Sequence, residues 1–139
     1  MIPRKIILHC TATEPDHDID VEWLRRLHVN RREWSDVGYH FFIDLTGKWH
    51  IGRPVWRPGA HTKGENKTSI GIAYAGGVKD GKPTDTMFEC QEKAFRDLVD
   101  VLRRVYGDLP IHGHREFANK ACPSFDVVEK FGAEYCGRD

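Results

Sequence analysis

The chain has 139 residues, enough for one domain whose core buries roughly two-thirds of the unfolded surface. Lys and Arg number 21, as do Asp and Glu, and a net charge of zero argues against a general nucleic-acid binder and for a small or neutral target. Arg4 and Lys5 precede only a short apolar run, too brief for a signal peptide or a membrane span. We therefore expect a monomeric single domain over residues 1–139, made and kept in the cytosol, with no nucleic-acid partner and no stable membrane association. That compartment disfavours disulfides, so the four cysteines (Cys10, Cys90, Cys122 and Cys136) are expected as thiols.

Lys5 to Cys10 reads as a buried strand, on which the side chains of His9 and Cys10 point to opposite faces. Thr11 to Asp18 is a polar loop. A helix follows, with Asp20 as N-cap, Glu22 in its first turn, and Trp23, Leu24 and Leu27 at helical spacing until about Arg32. Gly38 opens a strand from Tyr39 to Asp44, and Thr46-Gly47 turns it into a second over Lys48 to Arg53. Arg53 to Lys67 is a long loop of the kind that lines a site, and it carries His61.

Thr68 to Ala75 reads as a central strand, with a loop from Gly76-Gly77 to Asp85. Thr86 and Glu89 have capping-box spacing, and Ala94, Phe95, Leu98, Val99, Leu102 and Tyr106 form the apolar stripe of the helix they would start. Gly107 and Pro110 stop it, Pro110 to His112 is a short strand, and Phe125 to Tyr135 is a last helix capped by Ser124. The predicted fold class is α/β, a mixed sheet of about five strands with helices packed on it, with ligands gathering at strand ends.

The densest chemistry lies between His114 and Asp126, which holds an imidazole, the Lys120 ammonium and the Cys122 thiol in a loop closed by Pro123. Histidine and cysteinate are common zinc ligands, and catalytic zinc sites take three protein ligands and keep one position for water. The separation of His114 from Cys122 is not diagnostic by itself. A third ligand must come from a distant element, and His9, at the end of the first strand, is the best candidate. His112 competes with His114; His17, His28, His40 and His50 are read as structural.

The segments ILHCTAT, DVGYHFFI, HTKGENKTSIGI, AGG and HREFANKACPSFD, in this order, resemble the zinc N-acetylmuramoyl-L-alanine amidases of the type 2 family, whose fold is shared with peptidoglycan recognition proteins. The resemblance runs from about Ile6 to Asp126. It implies His9, His114 and Cys122 as zinc ligands, catalytic parts for Tyr39 and Lys120, and a place for His61 on the rim of the substrate groove. The implied reaction is hydrolysis of the amide between N-acetylmuramic acid and L-alanine in peptidoglycan. The implied setting is a phage endolysin, held in the host cytoplasm until a separate pore-forming protein releases it to the wall. Two other readings are a peptidoglycan-binding module without catalysis, which in this family usually lacks the cysteine ligand, and inhibition of a phage RNA polymerase, a second role of one phage member.

Overall fold

A computed structural model describes residues 1–16, 19–26 and 38–138. Its main sheet is built around β1 (Lys5–Cys10), an apolar run flanked on both sides by parallel partners, β4 (Ser69–Tyr74) and β7 (Ile111–Gly113). β2 (Phe41–Ile43) pairs parallel with β4, and β3 (Trp49–Ile51) closes the edge antiparallel to β2. The order β3-β2-β4-β1-β7 makes a mixed sheet of five strands, as expected from the sequence. β1 and β4 are buried along nearly their whole length because both faces of the sheet are covered.

Side-chain alternation sorts the two faces. Ile6, Leu8 and Cys10 point with Phe41, Ile43, Ile70, Ile72 and Tyr74 toward α2 (Glu89–Tyr106), whose Ala94, Phe95, Leu98, Val99 and Leu102 complete the larger core. On the other face Phe42 packs with Ile19, Leu24 and Ala75 beside α1 (Val21–Arg25). His9 lies on that second face, in register with Ala73, which in turn is opposite Phe42.

Several local expectations hold. Asp20 accepts the backbone N–H of Trp23 at 2.7 Å, the N-cap read from sequence. The far end of that predicted helix, with Leu27, His28 and Arg32, lies outside the described residues. The four cysteines are free thiols, and Cys10 faces the core. Among the described residues no helix is long and apolar enough to cross a membrane.

Four expectations are corrected. Thr86 does not cap α2: its hydroxyl accepts the N–H of Gly77 at 2.8 Å, and the helix starts at Glu89, where the Gln91 side chain accepts the Phe88 N–H at 2.9 Å. Tyr106, at the helix end, is 40% exposed and leaves the buried stripe. The stretch after Gly77 is not a plain loop, because Lys79 to Lys82 turn tightly enough for β5 (Val78–Lys79) to pair with β6 (Lys82–Pro83). The last helix is two short ones, α3 (Val127–Phe131) and α4 (Ala133–Cys136), parted at Gly132, and its cap is Asp126, since the Ser124 hydroxyl donates to Gly77 O at 2.7 Å.

Gln91 is fully buried and ties α2 to the strand ends, its Nε2 donating to Ala75 O at 2.9 Å and Asp44 O at 3.2 Å. Gln91→Leu keeps the volume but strands these carbonyls and the Phe88 N–H. We expect a loss of about 1–3 kcal/mol, read as a lowered urea midpoint with unchanged slope.

Candidate metal centre

β1 and β7 run side by side with Leu8 opposite Gly113, so His9 and His114, one residue further along each strand, leave the sheet together. Both are buried, and their ring centroids are 4.5 Å apart. A 3₁₀ turn (His114–Glu116) starts the return loop, which is pinned at several points before α3. Arg115 N–H donates to Cys122 O at 2.7 Å, Tyr74 O–H to Pro123 O at 2.7 Å, and Cys10 N–H to Cys122 Sγ at 3.2 Å. The result brings one ligand atom each of His9, His114 and Cys122 within 4.8 Å of one another. In a tetrahedral zinc shell with bonds of about 2.0–2.3 Å, ligand atoms stand roughly 3.3–3.8 Å apart, so the widest pair would have to close by at most roughly 1–1.5 Å. Two imidazoles and a thiol are a donor set suited to zinc, and the residues fit it.

Tyr39 and Lys120 border the same place. The Tyr39 ring is 5.1 Å from that of His9, and Lys120 is exposed, with its charge felt by His9, His114 and Cys122. His61 is buried at 8% exposure, and its Nδ1 is 2.9 Å from His9 Nε2. His112 is not in the cluster, because its Nδ1 pairs with Glu116 at 3.0 Å. His50 pairs with Asp44 at 2.8 Å. His40 is buried, accepting Gly71 N–H at Nδ1 and donating from Nε2 to Arg57 O, which holds the long loop against β2. His17 and His28 lie outside the described residues.

Sequence reasoning passed over Thr62, Asn66, Ser69 and Gly71, which seat His61. Asn66 Oδ1 accepts the N–H groups of both His61 and Thr62 at 2.9 Å, and the Ser69 hydroxyl donates to Glu65 O at 2.6 Å. An asparagine a few residues after a histidine, ahead of a strand, was the available signal, since its short side chain closes turns.

The model for the family described as N-acetylmuramoyl-L-alanine amidase matches residues 1–125. The chain belongs to the N-acetylmuramoyl-L-alanine amidase family. It is 39% identical to the endolysin of Escherichia phage T7 over 123 residues, which cover 88% of this chain and 81% of that protein. A peptidoglycan-recognition protein of Drosophila melanogaster is 31% identical, with 94% of this chain and 74% of that one covered. Among solved structures, the ectodomain complex of peptidoglycan recognition proteins LCa and LCx with bound tracheal cytotoxin superposes with a TM-score of 0.77 at 26% identity, covering 94% of this chain and 82% of that one. The N-acetylmuramoyl-L-alanine amidase LysC of Clostridium intestinale shares the fold at a TM-score of 0.81 and 23% identity, covering 99% and 87%.

The electrostatics of the cluster favour neutral imidazoles. Burial, then the neighbouring His61, His114 and Lys120, hold His9 well below the usual histidine range. His114 is lowered by burial and by Lys120, His40 mainly by burial, and His61 is pushed down to about 3, chiefly by burial. A neutral imidazole keeps a lone pair for a metal. The Cys10 and Cys122 thiols share a hydrogen bond, so the pair releases its first proton more readily than an isolated thiol. On Cys122 itself the neighbouring Cys10 thiol and burial push the pKa up, and the Cys10 N–H and the Lys120 charge only partly offset them.

These imidazoles stay neutral in the folded chain but take up protons near pH 6.5 once unfolded, so below that pH the unfolded state binds more protons. Stability of the metal-free protein is expected to be full above about pH 6.5 and to fall on acidification. Each group contributes up to about 1.4 kcal/mol per pH unit until its own folded pKa is reached, about 3 for His61. Urea unfolding between about pH 7 and about pH 5 measures the slope, and a flat profile would contradict buried neutral histidines.

Proposed function

We propose that the chain is a zinc-dependent endolysin that hydrolyses the amide between N-acetylmuramic acid and L-alanine, with a muropeptide of peptidoglycan as substrate. The observation that carries this reading is the convergence of His9, His114 and Cys122 at the ends of two adjacent parallel strands, in a chain of the amidase family. These three residues would hold the ion. Zinc bound there supplies Lewis-acid polarisation of a carbonyl and acidifies a coordinated water to a pKa of roughly 7.

The remaining steps fall to the side chains around the ligands. Lys120, exposed beside the cluster, presents an ammonium to the oxyanion of the tetrahedral intermediate, where a fixed donor is worth most. Tyr39, half-buried against His9, would orient water or pass a proton to the leaving amine. Burial keeps His9 and His114 from taking up the proton that would end their use as ligands. A site that only bound peptidoglycan fragments would have no need of the sulfur ligand, and the three-ligand set favours hydrolysis over binding alone.

Cys122→Ser and Lys120→Ala separate metal binding from chemistry. Serine is a poor zinc ligand at neutral pH, so the first variant is expected to lose both zinc and muropeptide release while remaining folded. The second leaves the ligands in place and removes only the oxyanion donor, so zinc content stays and turnover drops by about 10²- to 10³-fold. Metal analysis beside product release checks both; zinc loss in Lys120→Ala, or activity with zinc in Cys122→Ser, would overturn the roles.

A further inference from the structure

His61 stands one layer behind the candidate ligands, and its ring is held on both sides by backbone. A Cβ on Gly59 would come within 2.4 Å of His61 Cδ2, and one on Gly71 within 2.6 Å of the same atom. Only glycine at both positions leaves the slot open. The loop end of the ring is fixed by Asn66, which accepts the His61 and Thr62 N–H groups.

The hydrogen bonds around this ring have a direction. Ser69 donates its hydroxyl proton to Glu65 O at 2.6 Å, so its oxygen, 3.5 Å from His61 Nε2, can only accept there. His61 therefore carries its proton on Nε2 and a lone pair on Nδ1, since a neutral imidazole has one N–H. That lone pair faces His9 Nε2 at 2.9 Å. If His9 Nε2 were bare, two lone pairs would oppose each other at this distance. Thr62 Oγ1 lies 2.9 Å from His61 Nδ1 and 3.3 Å from His9 Nε2, so a proton on His9 Nε2 faces both the His61 lone pair and this oxygen, and a Thr62 hydroxyl turned toward His61 Nδ1 competes for the same lone pair.

We propose that His61 is a positioning residue: it fixes His9 as the Nε2–H tautomer and so leaves His9 Nδ1 as the atom offered to the metal. The chain of donors runs from His9 through His61 and Ser69 to the Glu65 carbonyl. The proposal rests on the reading of His9 as a ligand. It assigns His61 a place behind the metal, acting through His9, in place of direct contact with substrate. An outer partner of a ligating histidine orients the ring and raises its basicity, and its loss typically weakens metal binding about 10- to 100-fold.

Two measurements test this without recourse to activity. Two-bond ¹H–¹⁵N NMR spectra of the labelled, metal-free protein report which His9 nitrogen bears the proton; Nε2–H is expected, and Nδ1–H overturns the proposal. Zinc affinity is then measured by competition with a chromophoric chelator for wild type, His61→Leu and His61→Asn. Leucine removes the acceptor, and a weakening of about 10- to 100-fold is expected. Asparagine places an amide oxygen near the position of Nδ1, so His61→Asn is expected to recover most of the affinity. Wild-type affinity in His61→Leu, or no recovery in His61→Asn, overturns the positioning role. A wild-type protein that binds no zinc would sink the hydrolase reading instead, while the tautomer remains readable from the spectra.

Discussion

The placement of the His9 ring at the end of β1 is the constraint on which the site depends. A ring 1% exposed between two parallel neighbours must find polar partners inside the protein, because a buried polar group without them is costly. Its hydrogen-bond partners are His61 and Thr62, from the loop after β3, while His114 from the adjacent strand end and Cys122 on the return loop stand beside it. Each is secured elsewhere, by Arg115 and Tyr74 on one side and by Asn66 on the other. Among the described residues no buried side-chain nitrogen or oxygen is left without a partner.

The strand order shows where the long loop runs. β3 lies at the sheet edge, β2 is its neighbour, and the chain must pass β2 to enter β4 on the far side. β3 and β4 run in opposite directions, so the segment between Ile51 and Ser69 stays at one end of the sheet and is longer than the step past β2 requires. It is held against the strands it passes by His40 to Arg57 O and by Ala60 N–H to Gly38 O. A connection fixed at these points delivers His61 behind His9 with little freedom left.

Much of the framework was legible in the sequence, for identifiable reasons. β1 and β4 are apolar because both faces are covered, and α2 shows its stripe because one face is. Single residues with competing partners were harder. Thr86 and Ser124 are good capping residues by type, yet their hydroxyls serve the backbone of Gly77, and Gln91 and Asp126 take over at the helix starts. Periodicity carries no information about such choices, since they are decided by contacts between segments far apart in the chain. The ligand triad was named from the motif resemblance, and the geometry brings its members together. The buried seat of His61 was not readable, because nothing in HTKGEN says that Gly71, on another element, leaves room for the ring.

The same pinning bears on how the site meets a metal. Small zinc modules fold around their ion because the ligands have nothing else to hold them. Here the Cys122 loop is fixed by Tyr74, Cys10 and Arg115, and the His9 ring by His61, and the three candidate donor atoms stand within 4.8 Å of one another. Such supports hold the His9 ring and the Cys122 loop in place through the same hydrogen bonds that hold the fold, which is what a precise site requires.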